Sequence, residues 1–249
     1  MIEIKTNNEL KLMREAGRIT ARALSVMANA VKPGMTTADL DKLAFDYIKS
    51  AGAKPAFLNY GGFPGTVCIS VNEEIVHGFP SAKRHLKAGD IVSLDMGAVV
   101  DGFYGDSAIT VPVGKASPEA RRLMDLTKES LAVGLAHVRA GVRLGVVSNA
   151  IQEFAEGNGL GVIREFTGHG VGRDLHEDPS IPNYGSPKSG PVLREGMTLA
   201  IEPMLSLGTW KVRIKENGWT AVTADGSLSA HFEHTVAVTK DGCEILTKE

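Results

Sequence analysis

Cysteine is scarce in this sequence: Cys68 and Cys243 are the only two among 249 residues. Their spacing matches neither a metal-ligand pair nor a redox motif, and a disulfide framework needs more of them. A reducing compartment suits that count best. Long apolar runs are missing too. The N-terminus, MIEIKTNNELKLMREAGRI, mixes both charge signs and has no hydrophobic stretch, so a secretory signal is not expected. No run approaches the ~20 apolar residues of a membrane helix. Basic clusters are also absent. Lys and Arg number 27 against 29 Asp and Glu, for a net charge of −2, which argues against a nucleic-acid footprint. No low-complexity linker divides the chain. Its hydrophobic content of 43% is ample for a sizeable core, as one large domain or two fused halves.

Periodicity places the elements. Thr6 to Val31 reads as a helix, with Thr6 and Glu9 as a capping box and Leu10, Met13, Leu24 and Met27 on its apolar face. Lys32-Pro33-Gly34 breaks it. A second helix spans about Thr37 to Ser50, with Gly52 as its stop. Residues 65 to 77 read as extended. Ile91 to Val113 reads as a β-hairpin turning at Asp101-Gly102. Ser117-Pro118 opens a third helix that ends near Gly141, and a fourth follows from about Leu144 to Glu156. The remainder is strand and loop, with a second turn at Asp225-Gly226.

A weak internal repeat runs through this order. Lys32-Pro33-Gly34 parallels Arg139-Ala140-Gly141, and LKAGDIVSLDMG (86 to 97) parallels LREGMTLAIEPM (193 to 204). Both share one offset of 107 residues (141 − 34 and 196 − 89). In that register Asp95 falls on Glu202. Glu233, in AHFEHTVAV, similarly matches Asp106, in GDSAITV.

The hairpin brings acids together. With a two-residue turn, Val100 faces Phe103 and Gly97 faces Asp106. Asp95 and Asp106 then share one face as diagonal neighbours roughly 7–8 Å apart. Apolar residues surround both, so two bare carboxylates there would repel. A pair of divalent cations about 3.5–4 Å apart would resolve that repulsion. His169 and His176, in HGVGRDLH, offer one imidazole for such a site and another for a substrate. His77 precedes Gly78 after an extended run, where a histidine is more often structural. His85, His137, His231 and His234 carry no comparable signal, although the last two flank Glu233. A site of carboxylates and one imidazole favours Mn, Fe or Co over a structural zinc.

Five segments together resemble the pita-bread metallopeptidases, and most closely the type I methionine aminopeptidases: VCISVNEEIVHG (67 to 78), SLDMGAVVDGFYGDSAIT (93 to 110), TGHGVGRDLHEDP (167 to 179), GMTLAIEPM (196 to 204) and FEHTVAVT (232 to 239). The resemblance implies an α+β fold: a curved antiparallel sheet flanked by helices. It implies a single catalytic domain over 1–249, with pseudo-symmetric halves at about 31–115 and 138–240. The family's five metal-ligand positions are filled. Asp95 would chelate one metal, His169 and Glu202 the other, and Asp106 and Glu233 would bridge both. Glu202 would also shuttle a proton. His77 and His176 match substrate-contacting histidines that stabilise the reaction intermediate. Phe57, Tyr60, Phe63, Cys68, Leu175 and Trp219 match the methionine pocket, where apolar walls suit a thioether.

Four positions depart from the family pattern. Phe57 stands where relatives often have Cys, Phe63 where they have Tyr, Leu175 where they have Phe, and His231 where they have Gln. The first three leave the pocket apolar and bear on its shape. Length favours type I over type II, whose catalytic domain carries a large insertion. The sequence also lacks the zinc-binding N-terminal extension of eukaryotic type I enzymes. The expected activity is removal of N-terminal methionine from nascent polypeptides, with a small second residue preferred. The expected setting is the cytoplasm, as a monomer, with the ribosome a candidate partner and neither membrane nor nucleic-acid specificity. The nearest rival is an Xaa-Pro aminopeptidase of the same fold, which usually carries an extra N-terminal domain. A non-catalytic binding protein or a phosphate-ester hydrolase fits less well, given five intact ligand positions and few basic residues beside them.

Overall fold

The computed structural model describes residues 2–249. In chain order the elements are α1 (Asn7–Ala30), α2 (Thr37–Ser50), β1 (Lys54–Pro55), β2 (Val67–Val71), β3 (Glu74–Val76), β4 (Ile91–Val100) and β5 (Phe103–Pro112). Then follow α3 (Pro118–Leu135), α4 (Leu144–Gly157), β6 (Gly161–Val162), β7 (Gly168–Gly170), β8 (Glu177–Ile181), β9 (Thr198–Ile201) and β10 (Met204–Ser206). The chain closes with β11 (Val212–Ile214), β12 (Ala221–Thr223), β13 (Ser229–His231), β14 (Glu233–Val238) and β15 (Cys243–Ile245). No helix among the described residues is long and apolar enough to cross a membrane.

Local chemistry sets the helix starts. The Thr6 side chain accepts from the Glu9 amide while Glu9 reaches back, the expected capping box. Thr36 and Asp39 do the same for α2. Ser117 caps α3, with Pro118 in its first turn. Two boundaries differ from the sequence reading. Residues 65 to 77 form two strands, because Asn72 takes a left-handed φ of 60° and turns the chain between β2 and β3. Helix α3 ends at Leu135, not near Gly141; the chain tightens there into turns, with Val138 N–H donating to Leu135 O.

A nine-stranded sheet forms the frame, in the order β1-β4-β5-β14-β9-β7-β8, with β2 added beside β4 and β15 beside β14. All its pairings are antiparallel. Two small three-stranded sheets, β13-β10-β6 and β11-β12-β3, complete it. The hairpin register is as read from sequence: Val100 opposes Phe103 and Gly97 opposes Asp106. Asp101 and Gly102 both have positive φ, as a two-residue turn requires.

Helices cover one face of this sheet. Met27, Leu40 and Ile48 pack with Ile69, Leu94 and Met96; Leu123, Leu131, Val147 and Ile151 pack with Leu199, Ile201 and Val236. Strand alternation therefore aims Cys68, Asp95, Ala200 and Glu233 the other way. Helix α1 lies directly on the hairpin. A Cβ on Gly105 would stand 2.5 Å from the Gly17 amide nitrogen, so glycine on each side permits the approach. The Thr20 hydroxyl ties the layers, donating to Gly105 O and accepting from the Ala98 amide.

Candidate metal centre and substrate cavity

Register assembles the acids. Ala108 on β5 is opposed by Asp95 on β4 and by Glu233 on β14. Asp106 lies two residues from Ala108 and so shares its face. On β9, Ala200 is opposed by His169 of β7, and Glu202 follows two residues later, just past the strand. One face of five adjacent strands thus presents Asp95, Asp106, His169, Glu202 and Glu233. Ligand atoms of Asp106, His169 and Glu233 all lie within 4.8 Å of one another. His169 Nε2 is 3.7 Å from Asp106 Oδ2 and 3.5 Å from Glu202 Oε1.

The backbone here is held firmly. The Thr235 hydroxyl donates to Asp106 O at 2.7 Å and accepts from the Asp106 amide at 3.1 Å. Ser107 Oγ donates to Glu233 O, and buried Asn183 donates through Nδ2 to Glu202 O. The carboxylate oxygens are treated differently. Asp106 Oδ1 and Glu233 Oε1 are buried with no hydrogen-bond partner, a costly state for an anion. Burial, and then mutual repulsion, push Asp95, Glu202 and Glu233 well above the usual carboxylate range. Burial raises Asp106 to about 7. Burial also holds His169 down at about 4, so its ring is neutral. His169 Nδ1 lies 2.9 Å from Gly170 O. A proton on Nδ1 would satisfy that carbonyl and leave Nε2 as a free lone pair facing the acids. Orphaned oxygens, repelling carboxylates and a pre-oriented imidazole are what a divalent cation would satisfy.

A cavity of about 270 Å³ opens onto these five residues. Every other candidate from the sequence lines it as well: Phe57, Tyr60, Phe63, Cys68, His77, Leu175, His176 and Trp219. Phe57, Phe63, Cys68 and Leu175 form one buried cluster that Trp219 joins. Burial raises the Cys68 thiol, so it serves as apolar wall, not nucleophile. The Tyr60 hydroxyl lies 2.8 Å from His176 Nδ1, and the His176 ring stands 4.2 Å from that of His169. His77 is edge-on to Phe166 and Trp219. Its φ of 61° is unusual for a non-glycine residue. Burial lowers His77 to about 4 and also lowers His176; neutral rings can still donate an N–H.

Four cavity residues were not among the sequence candidates: Gly61, Val76, Phe166 and Thr167. Val76 and Thr167 fall inside the segments that carry the resemblance, while Gly61 and Phe166 only adjoin Tyr60 and Thr167 in the chain. His231, noted from the sequence only as a departure from the family pattern, is the larger omission. It is buried, neither ring nitrogen has a hydrogen-bond partner, and Nε2 stands 3.6 Å from Glu202 Oε2. Its position two residues before Glu233 pointed nowhere in particular, because contact with Glu202 depends on β13 pairing with β10, which places His231 opposite Met204. His85, His137 and His234 do not line the cavity.

Known proteins share both sequence and shape. The chain is 51% identical over 247 residues to a methionine aminopeptidase of Clostridium acetobutylicum, covering 99% of each. The crystal structure of a methionine aminopeptidase from Thermotoga maritima superposes with a TM-score of 0.99 at 52% identity, over 100% of both chains. An X-Pro aminopeptidase from the same organism is more distant: 22% identity and a TM-score of 0.76, with 99% of this chain matched but only 62% of the other. That last likeness is one of fold alone. The model of metallopeptidase family M24 matches residues 11–240, nearly the whole chain including every acid and imidazole of the cluster, and the protein belongs to that family.

Proposed function

We propose that the protein is a type I, bacterial-type methionine aminopeptidase acting on nascent polypeptide N-termini. The convergence of five ligand side chains at one end of an apolar cavity carries this reading. Full-length identity of about half to methionine aminopeptidases supports it. The Xaa-Pro alternative has only the distant fold likeness. Asp95, Asp106, His169, Glu202 and Glu233 would hold a pair of divalent cations, with Asp95 serving one, His169 and Glu202 the other, and Asp106 and Glu233 shared, as the family resemblance implies. Hard oxygen donors with one imidazole favour Mn, Fe or Co. Bound there, the ions supply Lewis acidity and an activated water at neutral pH.

The chain's own residues do the rest. The wall of Phe57, Phe63, Cys68, Leu175 and Trp219 accepts an unbranched apolar side chain and excludes water from it. Tyr60, itself exposed, lines the cavity with its hydroxyl on His176. A free α-amine is drawn to the carboxylates, which explains cleavage at the first peptide bond only. His77 and His176, neutral and lining the same cavity, donate to the oxygen that gains charge, typically the largest electrostatic contribution. Glu202 passes a proton to the departing amine. Helices α2 and α4 begin 107 residues apart (144 − 37), which supports two pseudo-symmetric halves, about 31–115 and 138–240, within one catalytic domain. The scarcity of cysteine supports a reducing setting such as the cytoplasm.

The test is hydrolysis of Met-Ala-Ser by chelated protein, before and after addition of Mn, Fe(II), Co or Zn separately. Metal-restored release of methionine, with Ala-Pro peptides untouched, is the expected result. A folded sample inactive with every metal would overturn the enzyme reading. Preference for Ala-Pro would install the rival.

A further inference from the structure

The segment preceding α1 is fastened to the cavity through a buried charge. The Lys5 side chain is only 2% exposed, and its Nζ lies 2.5 Å from Glu177 Oε2. The Lys5 amide also donates to Gly196 O, at 2.8 Å. Glu177 directly follows His176. Its other oxygen, Oε1, accepts from the amides of Arg173 and Asp174 at 2.7 and 3.3 Å. The 172–177 loop therefore wraps around one carboxylate, and Lys5 is the countercharge. Two further ties hold the same loop. Arg173 reaches Glu9 at 2.8 Å with its guanidinium 4.6 Å over the Phe103 ring, and the Tyr104 amide donates to Gly172 O. Packing is tight: a Cβ on Gly172 would come within 2.5 Å of Lys5 Nζ. Leu175 and His176, carried by this loop, line the cavity. An exposed ion pair would contribute little, but a buried lysine that loses Glu177 keeps only the mostly exposed Glu3 at 3.7 Å, which is strongly unfavourable.

We propose that Lys5 is a positioning residue: acting through Glu177, it holds the 172–177 loop so that His176 and Leu175 face the substrate. This rests on the role assigned above to His176. Asp106, Glu202 and Glu233 stand on other segments, braced by Thr235, Ser107 and Asn183; among the proposed ligands His169 alone adjoins the loop, its ring 4.2 Å from that of His176.

The experiment compares Lys5→Met, Lys5→Arg and Glu177→Gln with a control, Arg14→Met. The control breaks the 2.7 Å pair between α1 and Glu244, away from the cavity. Steady-state kinetics on Met-Ala-Ser, calorimetric Mn titration and hydrogen exchange of residues 172–177 are the readouts. Lys5→Met is expected to lower kcat about tenfold to a hundredfold, the scale of a misplaced catalytic group. Mn affinity should change far less than kcat, and exchange in 172–177 should accelerate. Lys5→Arg restores most of kcat; Glu177→Gln shares the defect; Arg14→Met loses stability without losing kcat. Wild-type kcat and KM in Lys5→Met, or Mn affinity falling in step with kcat, would overturn the proposal. Should Lys5→Met fail to fold, Glu177→Gln carries the same comparison. Were the wild type inactive on methionyl peptides, the functional reading would fail, and hydrogen exchange alone would still decide whether Lys5 fixes the loop.

Discussion

Glu202 and His231 show how much one residue's environment decides. In the proposed mechanism Glu202 both holds a cation and moves a proton. Glu202→Gln keeps the shape and removes the basic oxygen, so kcat should fall by about 10²–10⁴, the usual contribution of general acid–base catalysis. Near wild-type turnover on Met-Ala-Ser, with metal bound, would strip Glu202 of the proton role. His231 offers a cleaner test of burial. Desolvation, helped by His77, lowers it to about 3, whereas an unfolded histidine titrates near ~6.5. Between those values the unfolded chain binds a proton that the folded protein refuses. The contribution is therefore intact above about 6.5 and is lost as pH falls. The raised carboxylates act with the opposite sign, but they are present in wild type and His231→Gln alike. Urea denaturation of the two metal-free proteins should show wild type losing ground to the variant between pH 7.5 and pH 5. A pH-independent difference would contradict the assignment.

The β4–β5 hairpin and its helix supply the test at the level of elements. Gly102 and Gly105 are three residues apart yet are glycine for different reasons. Gly102 has φ of 82° and open space around its absent Cβ, so alanine there meets only backbone strain, about 1–2 kcal/mol. Gly105 has ordinary φ, but alanine would drive into α1 at Gly17. Gly105→Ala should cost about 1–3 kcal/mol by overpacking and should disturb the strand that carries Asp106. Gly102→Ala should leave turnover untouched. Urea midpoints and kcat for both variants check this. A Gly105→Ala protein with wild-type stability and activity would mean that α1 shifts freely on the sheet.

At the scale of the molecule, the metal-free protein holds protons that cations must displace. Asp95, Glu202 and Glu233 are raised well above their usual range and Asp106 sits at about 7. Cation binding requires these groups ionised, so it releases protons. Mn affinity should therefore increase as pH rises from 6 to 8. Calorimetry in two buffers of different ionisation enthalpy should show net proton release near pH 7. Chelation should lower the melting temperature, because a ligand of the folded state alone stabilises it by mass action. Identical affinity across that pH range would mean that the carboxylates are already ionised and paired otherwise.

Much of this was legible in the chain itself, where short-range physics suffices. Capping boxes marked α1 and α2, and Asp101-Gly102 set a two-residue turn that fixed the partner of every residue in β4 and β5. Alternation then put Asp95 and Asp106 on one face. The segments around His77, His169, Glu202 and Glu233 carried a family resemblance strong enough to name the cavity wall, and all of those side chains line one cavity. What local pattern could not give was anything that depends on which distant strands pair. The contact of His231 with Glu202 exists because β13 runs beside β10, and Phe166 and Thr167 enter the cavity because β7 is laid against β9. The break at Asn72 and the early end of α3 rest on local backbone turns that periodicity alone does not register. Nothing in the sequence distinguishes Lys5 from the other charges near the N-terminus. Its burial against Glu177, 172 residues away, follows from α1 lying across the sheet, and no periodicity in the sequence records where a helix comes to rest.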